Sequence, residues 1–181
     1  MVRRTPLEWP LRARIRTRIG GRIPAVSIAT DVIVGFPGET EAQFQRSHDL
    51  LAELQLDKAH IARYSPRAQT LAARHLPDDV PSEEKERRRK ALDDLQAEIV
   101  REINARLVGQ TVEVLVEGKK KARPERGRGE RWWGRTRTDK LVFFEDEGDW
   151  RGRLAQVLIT WAGPWSLVGE VCDSKTGVAN R

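Results

Sequence analysis

Ala29, Val32, Ile33 and Val34 form a short, nearly continuous apolar run that Gly35, Pro37 and Gly38 bring to a stop. Such a run fits a strand covered on both faces in a parallel sheet. Thr40 and Gln43 follow at capping-box spacing, which predicts a helix from about Glu41. That helix places Phe44, Leu51 and Leu54 near one face, and Ala59 to Tyr64 then reads as a second short strand. Strand, crossover helix and strand make a parallel βαβ unit with a right-handed connection. Its two strands leave open edges, so the unit is expected to be marginal or aggregation-prone alone. Upstream, Thr5 and Glu8 form another capping box around Pro6, predicting a helix from Pro6 to about Ile19 in which Pro10 is placed to kink the chain.

PDDVP, Pro77 to Pro81, interrupts this pattern. An amphipathic helix is predicted from Ser82 to about Leu107, with Ser82 as N-cap, Glu83 and Glu84 complementing the dipole, and Leu92, Leu95, Ile99, Ile103 and Leu107 along one seam. Arg87, Arg88 and Arg89 are assigned to its solvated face. The seam is short for a coiled coil, and docking against the chain's own domains is favoured. From Val108 the period changes to two. Val112, Val114 and Val116 share a face, and Leu141 to Phe144, Leu154 to Trp161 and Ser166 to Val171 supply further apolar segments. Several short strands in about 65 residues predict a small closed, OB-like barrel, because closure removes exposed edges. The expected organisation is α+β in two domains: 1–77, a linker helix at 78–107, an all-β barrel at 108–172, and a disordered tail at 173–181.

The composition, 39% hydrophobic and 33% charged with a mean hydropathy of −0.59 over 181 residues, allows two small cores under a highly solvated surface. No run approaches the length of a membrane span, and no signal segment opens the chain, so a cytoplasmic protein is expected. The net charge of +6 is concentrated in two places. Residues 1–30 hold seven arginines against Glu8, and residues 119–140 hold ten basic against three acidic residues, leaving the remainder net negative. Clustered cations fit a polyanion, although a solvated loop explains a basic run equally well.

Candidate chemistry lies at two sites. GFPGET ends a parallel strand, where ligands of α/β folds bind; Gly35 and Gly38 permit close backbone approach, and the following helix start offers N–H groups. A turn requiring positive φ accounts for the same glycines. In the barrel, Arg135, Arg137 and Lys140 of GRTRTDK, with Lys119, Lys120 and Lys121, are candidate phosphate contacts, and Trp132 a candidate base-stacking ring. Trp133, Trp161, Trp165, Phe143 and Phe144 are expected mostly to fill the core. Asp31 and Glu39 fit a structural role better than an acid–base pair, and His48, His60 and His75 lack metal-ligand spacing. No catalytic residue and no metal ligand is assigned. Cys172 reads as a small interior or terminal residue.

TDVIVGFPGET, YSPR at Tyr64 to Arg67, VPSEEKERRRKALDDLQ, LVGQTVEVLVEG, GRTRTDKLVFF and WSLVGEV together resemble the C-terminal half of the radical S-adenosylmethionine tRNA methylthiotransferases, most closely the MiaB type. The resemblance runs from about Thr5 to Val171. It implies the C-terminal part of a radical-SAM (β/α) barrel, a linker helix and a TRAM domain that binds RNA. It further implies that Gly35, Phe36, Pro37, Gly38 and Glu39 shape an S-adenosylmethionine pocket, with Tyr64, Ser65 and Pro66 on its adenine side. The implied partner is a tRNA anticodon stem-loop, and the implied reaction is methylthiolation of a prenylated adenosine beside the anticodon.

Two departures limit this. ARYSPRAQT carries Ala68 and Gln69 where the family has Pro-Gly, so the loop beyond Arg67 departs from the family pattern. The family's two 4Fe-4S clusters need several cysteine thiolates, and this chain has one cysteine. Neither S-adenosylmethionine nor a cluster is therefore expected to bind stably to this chain alone, and it is expected to be inactive by itself. MVRRTPLEW resembles an internal family segment, so a truncated enzyme lacking its N-terminal half is the leading expectation. The alternatives are a free-standing TRAM-type RNA-binding module and a fragment of a sister enzyme acting on threonylcarbamoyladenosine or a ribosomal protein.

Overall fold

The computed structural model describes residues 19, 21–23, 26–121 and 129–172. The helix expected from Pro6, most of the basic loop and the tail at 173–181 lie outside them, except for Ile19.

Strand β1 (Ala29–Val34), helix α1 (Glu41–Leu54) and strand β2 (Lys58–Arg63) form a parallel βαβ unit, in register from Ala29↔Lys58 to Val34↔Arg63. α1 starts where the sequence places it. Thr40 is extended, its side chain accepts from the Gln43 N–H, and its own N–H donates to the Gln43 side chain. The helix ends at Gln55, whose left-handed backbone returns an N–H to the Leu51 carbonyl. A five-residue helix, α2 (Leu71–His75), follows with Thr70 as N-cap, within the stretch beyond Arg67 expected to be loop.

Helix α3 (Ser82–Ala105) includes Ser82 as its first residue, so the cap expected there falls one residue earlier, where the Pro81 carbonyl accepts from the Lys85 N–H at 3.0 Å. The chain divides into two compact units within it, Met1–Gln96 and Ala97–Arg181. In the first unit Val34, Phe44, Leu51, Leu56 and Leu92 form the core, so the opening half of α3 completes the βαβ unit. The expectation of a β1 covered on both faces is corrected. Val32 and Val34 meet this core, whereas Ile33 is 57% exposed, because two strands and their helices cover one face only among the described residues.

In the second unit β3 (Thr111–Lys120), β4 (Arg131–Thr136), β5 (Leu141–Phe144), β6 (Leu154–Ala162) and β7 (Leu167–Val171) close into a barrel in the order β3-β4-β5-β7-β6. Only the β5–β7 pairing is parallel. Val114 and Val116 point inward with Trp132, Val142, Phe144, Val157, Ile159 and Leu167, and Val112 packs at the margin, as the alternation requires. Two glycines permit this curvature. A Cβ at Gly134 would lie 2.1 Å from the Leu115 carbonyl oxygen, and one at Gly169 2.3 Å from that of Leu158. Asn104, buried near the end of α3, donates to the Gly163 carbonyl at 2.8 Å and so fixes the turn between β6 and β7.

Candidate functional site

The loop from Gly35 to Thr40 leaves the carboxyl end of β1 with positive φ at Gly35 and Gly38, +70° and +76°. Its polar groups are turned on one another. Glu39 Oε2 accepts from the Gly35 N–H at 2.5 Å and from Arg88 Nη1 at 2.9 Å, and the Gly38 N–H donates to Asp79 at 2.8 Å. The close approach allowed by Gly35 is made by Lys85, whose Cγ would lie 2.3 Å from a Cβ there. Thus the glycine serves an internal contact, while the space beside Gly38 is open.

Lys85 and Arg88 are the residues sequence reasoning missed. Both are buried, at 6% and 4% exposure, which corrects the assignment of Arg88 to a solvated face. Lys85 Nζ bridges Asp78 at 2.5 Å, reaches the Tyr64 carbonyl at 3.5 Å and lies 5.3 Å from the Tyr64 ring centre. Arg88 binds Glu39, Glu84 and Glu41, with its guanidinium 5.4 Å from the Phe44 ring. Burial alone would lower the Arg88 pKa; hydrogen bonds to Glu39 and Glu84 outweigh it and hold the value raised. Hydrogen bonding from Arg87, then Arg88, lowers the Glu84 carboxyl from 4.5 to about 2. The available signal was position: Lys85, Arg88, Leu92 and Gln96 are spaced by three and four residues along one helical stripe.

A cleft of about 480 Å³ opens beside this network, lined among others by Arg63, Tyr64, Ser65, Pro66, Asp78 and Lys85. It thus gathers Tyr64, Ser65 and Pro66 but not Gly35 to Glu39. Phe36 meets the group indirectly, its ring edge-on to Tyr64 at 5.1 Å. The buried Tyr64 hydroxyl has no hydrogen-bond partner among the described residues.

On the barrel, the expected cations are mostly ion-paired. Arg135 meets Asp139 at 2.9 Å and Glu117 at 3.4 Å, Arg137 meets Glu113 at 2.7 Å, and Lys119 meets Glu130 at 2.9 Å. Arg137 lies past the end of β4, so it does not continue the strand alternation with Arg135. Lys121 is exposed and Lys140 half-buried. The stacking role expected of Trp132 is corrected: its ring is in the core at 4% exposure, and its indole N–H donates to the Asp146 carbonyl at 3.1 Å. Phe144 is in the core as expected and Phe143 is buried, whereas Trp161 and Trp165 are 53% and 64% exposed.

Residues 105–172, which span the five strands, match the family model of the TRAM domain. The closed barrel is thus similar to a TRAM domain. The similarity extends well beyond it. The chain is 49% identical over 160 residues to a tRNA-2-methylthio-N(6)-dimethylallyladenosine synthase of Roseiflexus sp. (strain RS-1), covering 87% of this chain and 32% of that protein. The Chloroflexus aurantiacus synthase of the same name is 47% identical over 163 residues, with 87% and 33% covered. That of Moorella thermoacetica is 47% identical over 151 residues, with 83% and 33% covered. The matching regions are the C-terminal parts of those enzymes, and the chain spans about a third of their length. Among the described residues no group of three or more His, Cys, Asp and Glu is placed to hold a metal ion, and no helix is long and apolar enough to cross a membrane.

Proposed function

We propose that this chain is the C-terminal part of a tRNA methylthiotransferase, acting in the cytoplasm and supplying the TRAM domain together with the last βαβ segment of a radical-SAM barrel. The observation that carries this reading is 49% identity sustained over 87% of the chain, across both the βαβ unit and the TRAM domain. In this reading the domains are the barrel segment at 1–77, the helix at 78–107 and the RNA-binding barrel at 108–172. The partners are a tRNA anticodon stem-loop and the N-terminal portion of the enzyme.

The residues present do not fit an iron–sulfur cluster, since one thiol cannot supply the thiolates a 4Fe-4S centre needs. They fit S-adenosylmethionine in part. Tyr64, Ser65 and Pro66 border the cleft, whereas Gly35, Phe36, Pro37, Gly38 and Glu39 do not line it, and their part in such a pocket rests on the family resemblance alone. What this chain's residues do beside the cleft is to hold the loop after β1: Arg88 fixes Glu39, and Glu39 fixes Gly35.

The test is a chimera in which this chain replaces the matching third of the Roseiflexus synthase. It should methylthiolate a prenylated anticodon stem-loop, whereas this chain alone, reconstituted with iron and sulfide, should release no 5′-deoxyadenosine. A soluble, cluster-loaded chimera that leaves the RNA unmodified would overturn the proposal.

A further inference from the structure

Register across the barrel aligns Trp161 with Val168, Val168 with Phe143, Phe143 with Trp133, and Trp133 with Gly118. These positions alternate with the core residues Leu167, Val142, Phe144 and Trp132, so they form one row on the outer side of the barrel wall, in which Phe143 is itself covered to 9% exposure. Three of the five are aromatic. Trp161 is more than half exposed, with its ring folded over Gly163, and Trp133 lies with its indole nitrogen over Gly118.

The cations beside this row differ from the others on the barrel. Lys120 and Arg131 are cross-strand partners, and both lie over the Phe143 ring, at 4.9 and 5.0 Å from its centre. Among the described residues neither forms an ion pair, whereas Lys119, Arg135 and Arg137 each do. A cation held by an aromatic face keeps its N–H donors for an anion, while one held by a carboxylate must first give up that partner. Glu145, exposed and one residue beyond β5, shares the outward parity and marks an end of the favourable field.

We propose that this row is the nucleic-acid-binding face of the chain: Lys120 and Arg131 contact phosphates of a single-stranded RNA segment, and Trp161 and Trp133 stack on its bases. This rests on the RNA-binding reading above and assigns it to residues outside the GRTRTDK turn. The occupant is single-stranded because stacking requires unpaired base faces.

The test is a salt titration of the full chain binding a labelled anticodon stem-loop and an unstructured 12-nucleotide RNA, with Lys120→Gln, Arg131→Gln, Trp161→Ala and Arg137→Gln, each verified as folded by its melting curve. Lys120→Gln and Arg131→Gln should each flatten the slope of log affinity against log salt by roughly 0.7. Trp161→Ala should weaken binding about tenfold at unchanged slope, and Arg137→Gln should change neither. Lys120→Arg should restore the slope, which a purely structural role would not demand. If wild type binds with a salt-dependent slope but only Arg137→Gln alters it, the row is wrong and RNA binding stands. If wild type binds neither RNA, both fail.

Discussion

Arg88 Nη1 lies 2.9 Å from Glu39 Oε2, and the two side chains retain only 5% and 13% of their exposure. A buried pair of this kind is weak evidence of net stabilisation, because desolvation offsets most of the attraction; breaking it is another matter. Arg88→Met should destabilise the first unit by about 3 kcal/mol, since Glu39 would be left buried beside the Gly35 N–H alone. Arg88→Lys should rescue little, as an ammonium cannot span Glu39, Glu84 and Glu41 at once. Urea denaturation monitored within residues 26–96 measures this. A loss below 1 kcal/mol for Arg88→Met would show that solvent reaches Glu39.

The same cluster makes acid stability depend on Glu84. Its carboxyl is lowered from 4.5 to about 2 in the folded chain, chiefly by its hydrogen bond from Arg87. A depressed carboxyl stabilises the native state fully above its unfolded value and loses that contribution as pH falls. Melting temperature should therefore decline from about pH 4.5 toward pH 2, and Glu84→Gln should be less stable at neutral pH with a shallower decline. Parallel curves for the two proteins would count against the assignment.

In the barrel, Gly134→Ala should prevent normal closure. The new Cβ meets backbone, the Leu115 carbonyl oxygen at 2.1 Å, and no flexible side chain can give way. Gly152→Ala strains a positive φ but meets nothing within 4 Å, so it should lower the melting temperature less. Near-ultraviolet circular dichroism and thermal melts of the two variants should separate them; equal losses would mean that crowding at Gly134 relaxes.

Trp132→Ala should act on stability, by about 3 to 5 kcal/mol, as a large ring leaves the core. Trp132→Phe keeps most of that volume and forfeits the hydrogen bond to Asp146, a loss of about 1 kcal/mol. Chemical denaturation checks both. A folded Trp132→Ala protein of unchanged stability that no longer binds RNA would restore the ring to the binding surface.

The elements legible in sequence were those governed by local rules. Thr40 and Gln43 fixed the start of α1 by satisfying each other's backbone, and the parity of Val112, Val114 and Val116 fixed the inward face of β3. What escaped depended on neighbours distant in sequence. Lys85, Arg88, Gln96 and Asn104 lie on the buried stripe of α3, but each is tolerable there only through a partner elsewhere: Asp78, Glu39, and the carbonyls of Leu56 and Gly163. A hydrophobic tally passes over them. Trp132 and Trp133 are adjacent, so one must face in and one out, and only pairing with β5 reveals which. Likewise Arg135 and Arg137 looked free until Glu113 and Glu117, some twenty residues upstream, were brought beside them.

Closure of β3 against β6 also sets a schedule. Thr111 pairs with Leu158, and the seam is sealed by Gly109 and Ile159 exchanging bonds with neighbouring carbonyls at 2.8 and 3.0 Å. During synthesis β3 therefore emerges well before the strand that completes it. At roughly 5 to 20 residues per second, the valines of β3 wait several seconds for that partner. Throughout that interval the growing chain presents an unfinished apolar strand followed by a strongly basic stretch, and the ribosome that makes it is itself largely RNA.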